Sequence, residues 1–329
     1  MTARLGWLGV AVVALLVATV ASVALGSRVV SVDEVVSAFT GAEDGIAQAA
    51  VRSRIPRTIL ALLVGATLGI AGSVLQAVTR NPLADPQMLG ITSGASLFVV
   101  VGIAFVGLSS PAAYIWVAIA GAALAAIFVY TIGSLGRGGP TPLKLALAGA
   151  ATTAAFSALV SAVLLPRIEV MDDFRFWQIG GVGGATYEKL TLVAPFLAVG
   201  TLICVACARG LNALALGDAV AAGLGERVLR TRLVAAAGAF ILCGAATAVA
   251  GPIGFVGLVV PHACRLLVGV DHRWLLPFSA LVGATLLTVA DVAGRVVARP
   301  SEVDVGIVTA LIGAPFFIAI VRRLKVRAL

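Results

Sequence analysis

Charge is scarce in this chain of 329 residues: Asp, Glu, Lys and Arg together supply 12% of it, about half the share of an ordinary globular protein. That scarcity excludes a soluble enzyme, a nucleic-acid binder and a disordered chain. Aromatic residues are also few, at 6%, while 60% of the side chains are hydrophobic and the mean hydropathy is +1.11. The apolar excess therefore faces lipid. No Gly-x-x-x-x-Gly-Lys-[Ser/Thr] phosphate loop occurs anywhere in the sequence, so the chain cannot hold ATP in that manner. Uphill transport would draw on a partner or an ion. Histidine occurs only twice, and neither His262 nor His272 has carboxylates or thiols at ligand spacing. Hydrogen bonding at helix ends suits them better than a metal site. Cys204-x-x-Cys207 has the spacing of a redox or zinc pair, but these residues, like Cys243 and Cys264, lie in apolar runs and read as small buried side chains.

What is abundant is small and aliphatic, with 37 glycines, the composition of closely packed membrane helices. A bilayer core of about 30 Å needs roughly 20 apolar residues per helix. Spans of that kind fall at 5–26, 58–79, 89–108, 112–134, 143–165, 189–208, 232–250, 254–268, 275–297 and 306–321, about ten transmembrane helices in an all-α polytopic membrane protein. The first resembles a signal peptide ending at Ala21-Ser22-Val23-Ala24, but its apolar run exceeds a normal signal core, so it is expected to be an uncleaved helix. With the N-terminus on the cytoplasmic side, the inner connections hold fourteen basic and four acidic residues and the outer ones nine basic and eleven acidic, net +10 against −2. The positive-inside rule thus places both termini in the cytoplasm. It also explains the overall +8 without a nucleic-acid partner.

Two connections exceed plain turns. At 27–56 an extracytoplasmic segment carries Val30, Val35, Val36 and Phe39, an amphipathic pattern opened by a Ser31–Glu34 capping box. At 209–231 an inner segment is punctuated by Gly217, Gly223 and Gly225 into two short helices, a cytoplasmic knob suited to docking. Two stretches break the helical pattern at membrane depth. Arg80-Asn81-Pro82-Leu83-Ala84-Asp85-Pro86-Gln87-Met88-Leu89-Gly90 has two prolines four apart that cannot continue a helix. Gly251-Pro252-Ile253-Gly254 before Phe255 does the same in the other half. Broken helices in corresponding places of two halves point to an internal repeat around a central pathway.

These residues resemble the FecCD or type II family of permeases in ABC importers for iron-siderophores, haem and cobalamin. The matches run from Arg54 to Pro315: Arg54-x-Pro56-Arg57, Gly72 to Gln76, the Arg80 to Pro86 motif with Leu89-Gly90, Trp177 with Gly180-Gly181, Gly251 to His262 with Arg265, Asp271-His272-Arg273, Ala290-Asp291 with Arg295, and Glu302 leading to Gly306 through Phe316. Two positions depart from the family pattern: Gly181 stands where the family has Ser, and Val303-Asp304 where it has Leu-Pro. The resemblance implies one transmembrane permease domain over 1–329 with two pseudo-symmetric halves. It further implies a homodimer with the pathway on the two-fold axis, an extracytoplasmic binding protein, and two cytoplasmic ATPase subunits that use ATP and Mg and seat on the knob. The chain itself would bind no cofactor and catalyse no reaction, in the inner membrane of a bacterium.

Arg54, Arg57 and Arg295 stand on the outer side against the positive-inside trend. At family positions that pair with carboxylates of the binding protein, they are the candidates for docking it. In the knob, Leu214, Leu216, Asp218, Ala221, Leu224, Glu226 and Arg227 are the candidates for ATPase coupling. For the pathway the polar groups of otherwise apolar helices are Gln76, Asn81, Thr152, Thr153 and Ser157, although membrane Ser and Thr more often glue helices. A ferric-siderophore is the expected cargo, with haem or cobalamin as alternatives. A self-contained ion-coupled transporter would want intramembrane ionisable groups, which are nearly absent.

Overall fold

A computed structural model describes residues 2–40, 45–85, 90–108, 110–135 and 142–325. Residues 86–89 of the first break, Arg137 and Arg327 lie outside the described residues. There are fourteen α-helices and no strand among the described residues: α1 Thr2–Ala24, α2 Val32–Thr40, α3 Ile46–Thr79, α4 Ile91–Val101 with a π-helical extension Gly102–Val106, α5 Pro111–Ser134, α6 Pro142–Leu164, α7 Ile168–Ile179, α8 Tyr187–Ala206, α9 Ala208–Ala215, α10 Asp218–Gly223, α11 Val228–Ala250, α12 Val256–Val268, α13 His272–Val297 and α14 Val305–Lys325. Seven are long and apolar enough to cross a bilayer, and the apolar stretches 91–106, 256–268 and 305–319 are shorter. Together they occupy the ten expected spans.

Two elements differ from expectation. α3 begins at Ile46, not near 58, and runs through Pro56 for 34 residues. At 1.5 Å per residue that is about 50 Å, so its first turns stand clear of the bilayer. The connection between α6 and α8 contains a helix, α7, whose mixed sequence IEVMDDFRFWQI has no clear apolar period.

α3 is the central mast, packed along α13, α11 and α12. Close packing there depends on small residues. A methyl at Gly65 would strike the backbone of Gly283, and one at Gly72 the carbonyl of Gly257, so the helices touch backbone to backbone, as small-residue interfaces allow in lipid. The order long helix, break, short helix, long helix recurs as α3, 80–90, α4, α5 and as α11, 251–255, α12, α13. The first break lies on the knob side and the second on the opposite side, because Arg80 bonds to the knob whereas Ala250 and Gly251 lie against Gly180 and Gly181. The halves are therefore related by inversion, the arrangement of transporters whose discontinuous helices surround a pathway.

Candidate functional site

On the side away from the knob, five charged side chains converge. Arg57 Nη2 and Arg295 Nη2 each lie 2.8 Å from one oxygen of Asp291, and Arg57 Nη1 lies 2.6 Å from Glu302. Asp291 is 0% and Arg295 1% exposed. The remaining donors serve the end of α1. Arg54 donates to the carbonyls of Val23, Ala24 and Arg28 at 2.8–3.1 Å, and Arg295 to those of Ser22 and Leu25 and to the Ser22 hydroxyl at 2.8–3.0 Å. Arg299 adds a bond to Gly26. The last carbonyls of a helix have no partner in the helix, and its C-terminus carries partial negative charge. Three guanidiniums close both deficits.

For the docking candidates Arg54, Arg57 and Arg295 the structure shows partners within the chain. Arg54 and Arg295 are buried and Arg57 nearly so. The position of Arg54 and Arg295 against the positive-inside trend suits the helix end they cap, and that of Arg57 suits its two carboxylates, Asp291 and Glu302. Glu302 outside the spans also carries part of this network. Burial alone would raise its pKa, but hydrogen bonds from Arg57 and Ser27 and the charges of Arg57 and Arg295 hold it below the ordinary value.

The two departures from the family pattern are neighbours. A Cβ on Gly181 would come 2.5 Å from Asp304 Oδ1, so a serine there cannot coexist with this Asp304 rotamer. Gly181 N–H donates to Ala250 O at 2.8 Å and Gly306 N–H to Gly180 O at 3.0 Å, tying the end of α7 to the second break and to the start of α14. Burial chiefly pushes the Asp304 carboxyl above its ordinary pKa, with Arg57 opposing.

Deeper, Gln76 joins the first break to α12. Its amide nitrogen lies 3.4 Å from Ala84 O in that break and 3.2 Å from Gly257 O in the first turn of α12, and its oxygen accepts from Arg265 of the same helix. One turn on, Arg80 ends α3 in the left-handed conformation, φ 49°, and reaches the knob, donating to Leu214 O at 3.0 Å and pairing with Asp218 at 2.5 Å. Arg232 of α11 shares Asp218 at 2.8 Å. Asn212 joins the knob to the start of α13 through Asp271 at 2.6 Å and through the backbone and ring nitrogens of His272, both at 2.8 Å.

The knob candidates thus divide. Leu214 and Ala221 are buried inside it, while Leu216 and Leu224 are 62% and 66% exposed beside exposed Val220. Glu226 bonds to Thr231, and Arg227 is exposed. Among the pathway candidates, Gln76 is buried in structural bonds, and Asn81 Oδ1 accepts from Leu83 N–H at 2.9 Å, the Asx-turn that reverses the first break. Thr152 is buried against Gly90. Thr153 Oγ1 is buried without a partner, and Ser157 is exposed on α6. The exposed apolar face of α14, with Ile307, Leu311 and Ile318, borders a cavity of about 620 Å³ reaching Ile179.

Ten membrane helices in inverted halves, with two breaks and a helical knob tied to one of them, define a membrane transport permease. A family model described as the FecCD transport family matches residues 14–323, and the chain belongs to that family, the permease subunits of ABC importers. It is 43% identical over 310 residues to the Probable siderophore transport system permease protein YfiZ of Bacillus subtilis, covering 94% of this chain and 93% of that one. It is 41% identical over 310 residues to the Ferric enterobactin transport system permease protein FepD of Escherichia coli, covering 94% and 92%. Among solved structures it superposes with a TM-score of 0.84 on an inward-facing transporter described as of the metal-chelate ABC type, at 30% identity over 97% of this chain and 99% of that one.

Proposed function

We propose that the chain imports a ferric-siderophore as one half of a homodimeric permease, with the substrate passing along the two-fold axis. The relatives named for siderophore, enterobactin and hydroxamate transport support this cargo. A haem or cobalamin chelate is the second reading, favoured by relatives so named at 39% and 42% identity. The knob faces the cytoplasm with both termini, in keeping with the positive-inside count. Two ATPase subunits seat on Leu216, Val220 and Leu224, hydrolyse ATP with Mg, and so drive transport. An extracytoplasmic binding protein delivers the chelate to the opposite face, whose shape the arginine cluster maintains.

The observation that carries this reading is the Asp218–Arg80 pair, followed one turn away by Gln76, which holds the first break against α12. Force on the knob is thereby delivered to the first break, which lacks regular helix and is among the least costly parts of the bundle to rearrange, and to the helix that follows the second. Arg80→Ala is expected to reduce ATP-driven uptake in proteoliposomes at least about ten-fold while the ATPase subunits still bind. Uptake at the original rate in that variant contradicts the coupling route. Substrate class is settled by offering ferric hydroxamates and catecholates, haem and cobalamin to the reconstituted complex, with ferric chelates expected to be taken up.

A further inference from the structure

At the base of the knob, where α8 ends and α11 begins, a cavity of about 420 Å³ is lined by Arg209, Arg227, Arg230, Glu226, Thr231 and Val234 among others. Arg209, Arg227 and Arg230 are exposed, and no hydrogen bond or ion pair from their guanidiniums is found among the described residues. The single carboxylate, Glu226, is turned onto the Thr231 hydroxyl. The two helices that meet at the cavity carry exposed aliphatic side chains toward lipid: Val199, Leu202 and Val205 on α8, and Leu229, Leu233 and Val234 on α11, all between 41% and 69% exposed, with Val234 reaching the cavity itself. The exposed leucines at the tip of the knob, Leu216 and Leu224, do not line it.

We infer that this is a binding site for one phospholipid with an anionic headgroup, in the leaflet on the knob side. Three unpaired guanidiniums at the end of a membrane helix present five N–H donors each and match a phosphate diester bidentately. An isolated soluble phosphate would use the cavity but leave the aliphatic side chains beside it bare. A lipid uses both, its phosphate in the cavity and its acyl chains along Leu202, Val205 and Val234. Arg227, expected at the ATPase contact, belongs to this cavity. The inference rests on the chain spanning a membrane and not on which chelate it carries.

The full-length protein is extracted in mild detergent with equimolar phosphatidylglycerol and phosphatidylcholine of matched acyl chains, and retained lipid is counted by native mass spectrometry. Wild type is expected to keep phosphatidylglycerol in preference to phosphatidylcholine. Each cation near an anionic headgroup is worth about five-fold in affinity, so R209Q/R227Q/R230Q is expected to lose phosphatidylglycerol by at least about ten-fold with its thermal unfolding unchanged. V234W, which fills the cavity and leaves every charge, is expected to lose it as well. The matched removal of two exposed arginines on the far side, R28Q/R175Q, is expected to have no effect. Equal retention of the two lipids by wild type, unchanged phosphatidylglycerol in the triple variant, or displacement of the lipid by millimolar sn-glycerol 3-phosphate would each overturn the inference. So would a triple variant that loses only the ATPase subunits.

Discussion

Replacing Asp291 by Asn keeps the shape of the side chain and removes the charge that two guanidiniums share. Arg57 approaches it through Nε at 3.0 Å and Nη2 at 2.8 Å, and Arg295 through Nη2 at 2.8 Å. With Asp291 fully buried and Arg295 almost so, breaking such a pair costs about 3–5 kcal/mol, because a buried charge is left uncompensated. Arg295 retains its acceptors at the end of α1 and Arg57 retains Glu302, which puts the expected loss near the lower bound, about 3 kcal/mol. Glu302→Gln removes the other anion of the network, but that side chain is 37% exposed. Solvent screening limits a pair of that kind to about 1 kcal/mol. Equilibrium unfolding of the purified permease in mixed micelles measures both. Asp291→Asn within about 1 kcal/mol of wild type, or the two variants costing the same, would refute a buried electrostatic core at this position. Because the loss is intrinsic to the chain, it is expected before any binding protein is added.

Gly181→Ser is expected to push the Asp304 carboxylate into another rotamer at a cost of about 1 kcal/mol, and Asp304→Ala in the same chain to restore most of it, a non-additivity readable in a four-variant cycle. The pair of Glu302 with Arg57 carries a pH signature. The folded-state pKa of Glu302 is lowered, so the stability it contributes is present above the ordinary carboxylate range and is lost as pH falls through the lowered value. In unfolding titrations this part of the acid loss disappears in Glu302→Gln. Asp304 acts in the opposite sense: its raised pKa makes the protonated form the favoured one in the fold, so Asp304→Asn is expected to flatten a fall in stability as pH rises past the ordinary carboxylate range.

Much of the architecture is legible in the sequence because lipid forces it. Apolar runs of fixed length, prolines that cannot continue a helix and glycines between short helices locate the spans, both breaks and the knob. α7 escapes because its charges and aromatics follow no single face, its order coming from bonds that Gly180 and Gly181 make to distant segments. The bonds of the arginines are hidden for a related reason. A cation at the outer surface is equally consistent with a partner's carboxylate and with a neighbouring helix end, and the bonds of Arg54 and Arg295 to the end of α1 emerge only in the fold. Leu214 and Leu216 are indistinguishable as letters two residues apart, yet one closes the knob and the other faces out. The pairing of Gly181 with Asp304 spans more than a hundred positions, and each alone reads as an unexplained departure.

The central claim is that ATP hydrolysed by a partner moves the breaks through the knob. The direct measurement is uptake of a ferric-siderophore into proteoliposomes that contain this permease, its ATPase subunits and its binding protein, comparing wild type with Leu216→Asp/Leu224→Asp. Wild type is expected to import only when ATP is supplied to the knob side, and the double variant to fold, fail to retain the ATPase subunits and import nothing. Uptake by the permease alone under a proton gradient, or undiminished ATP-driven uptake in the double variant, would contradict the account.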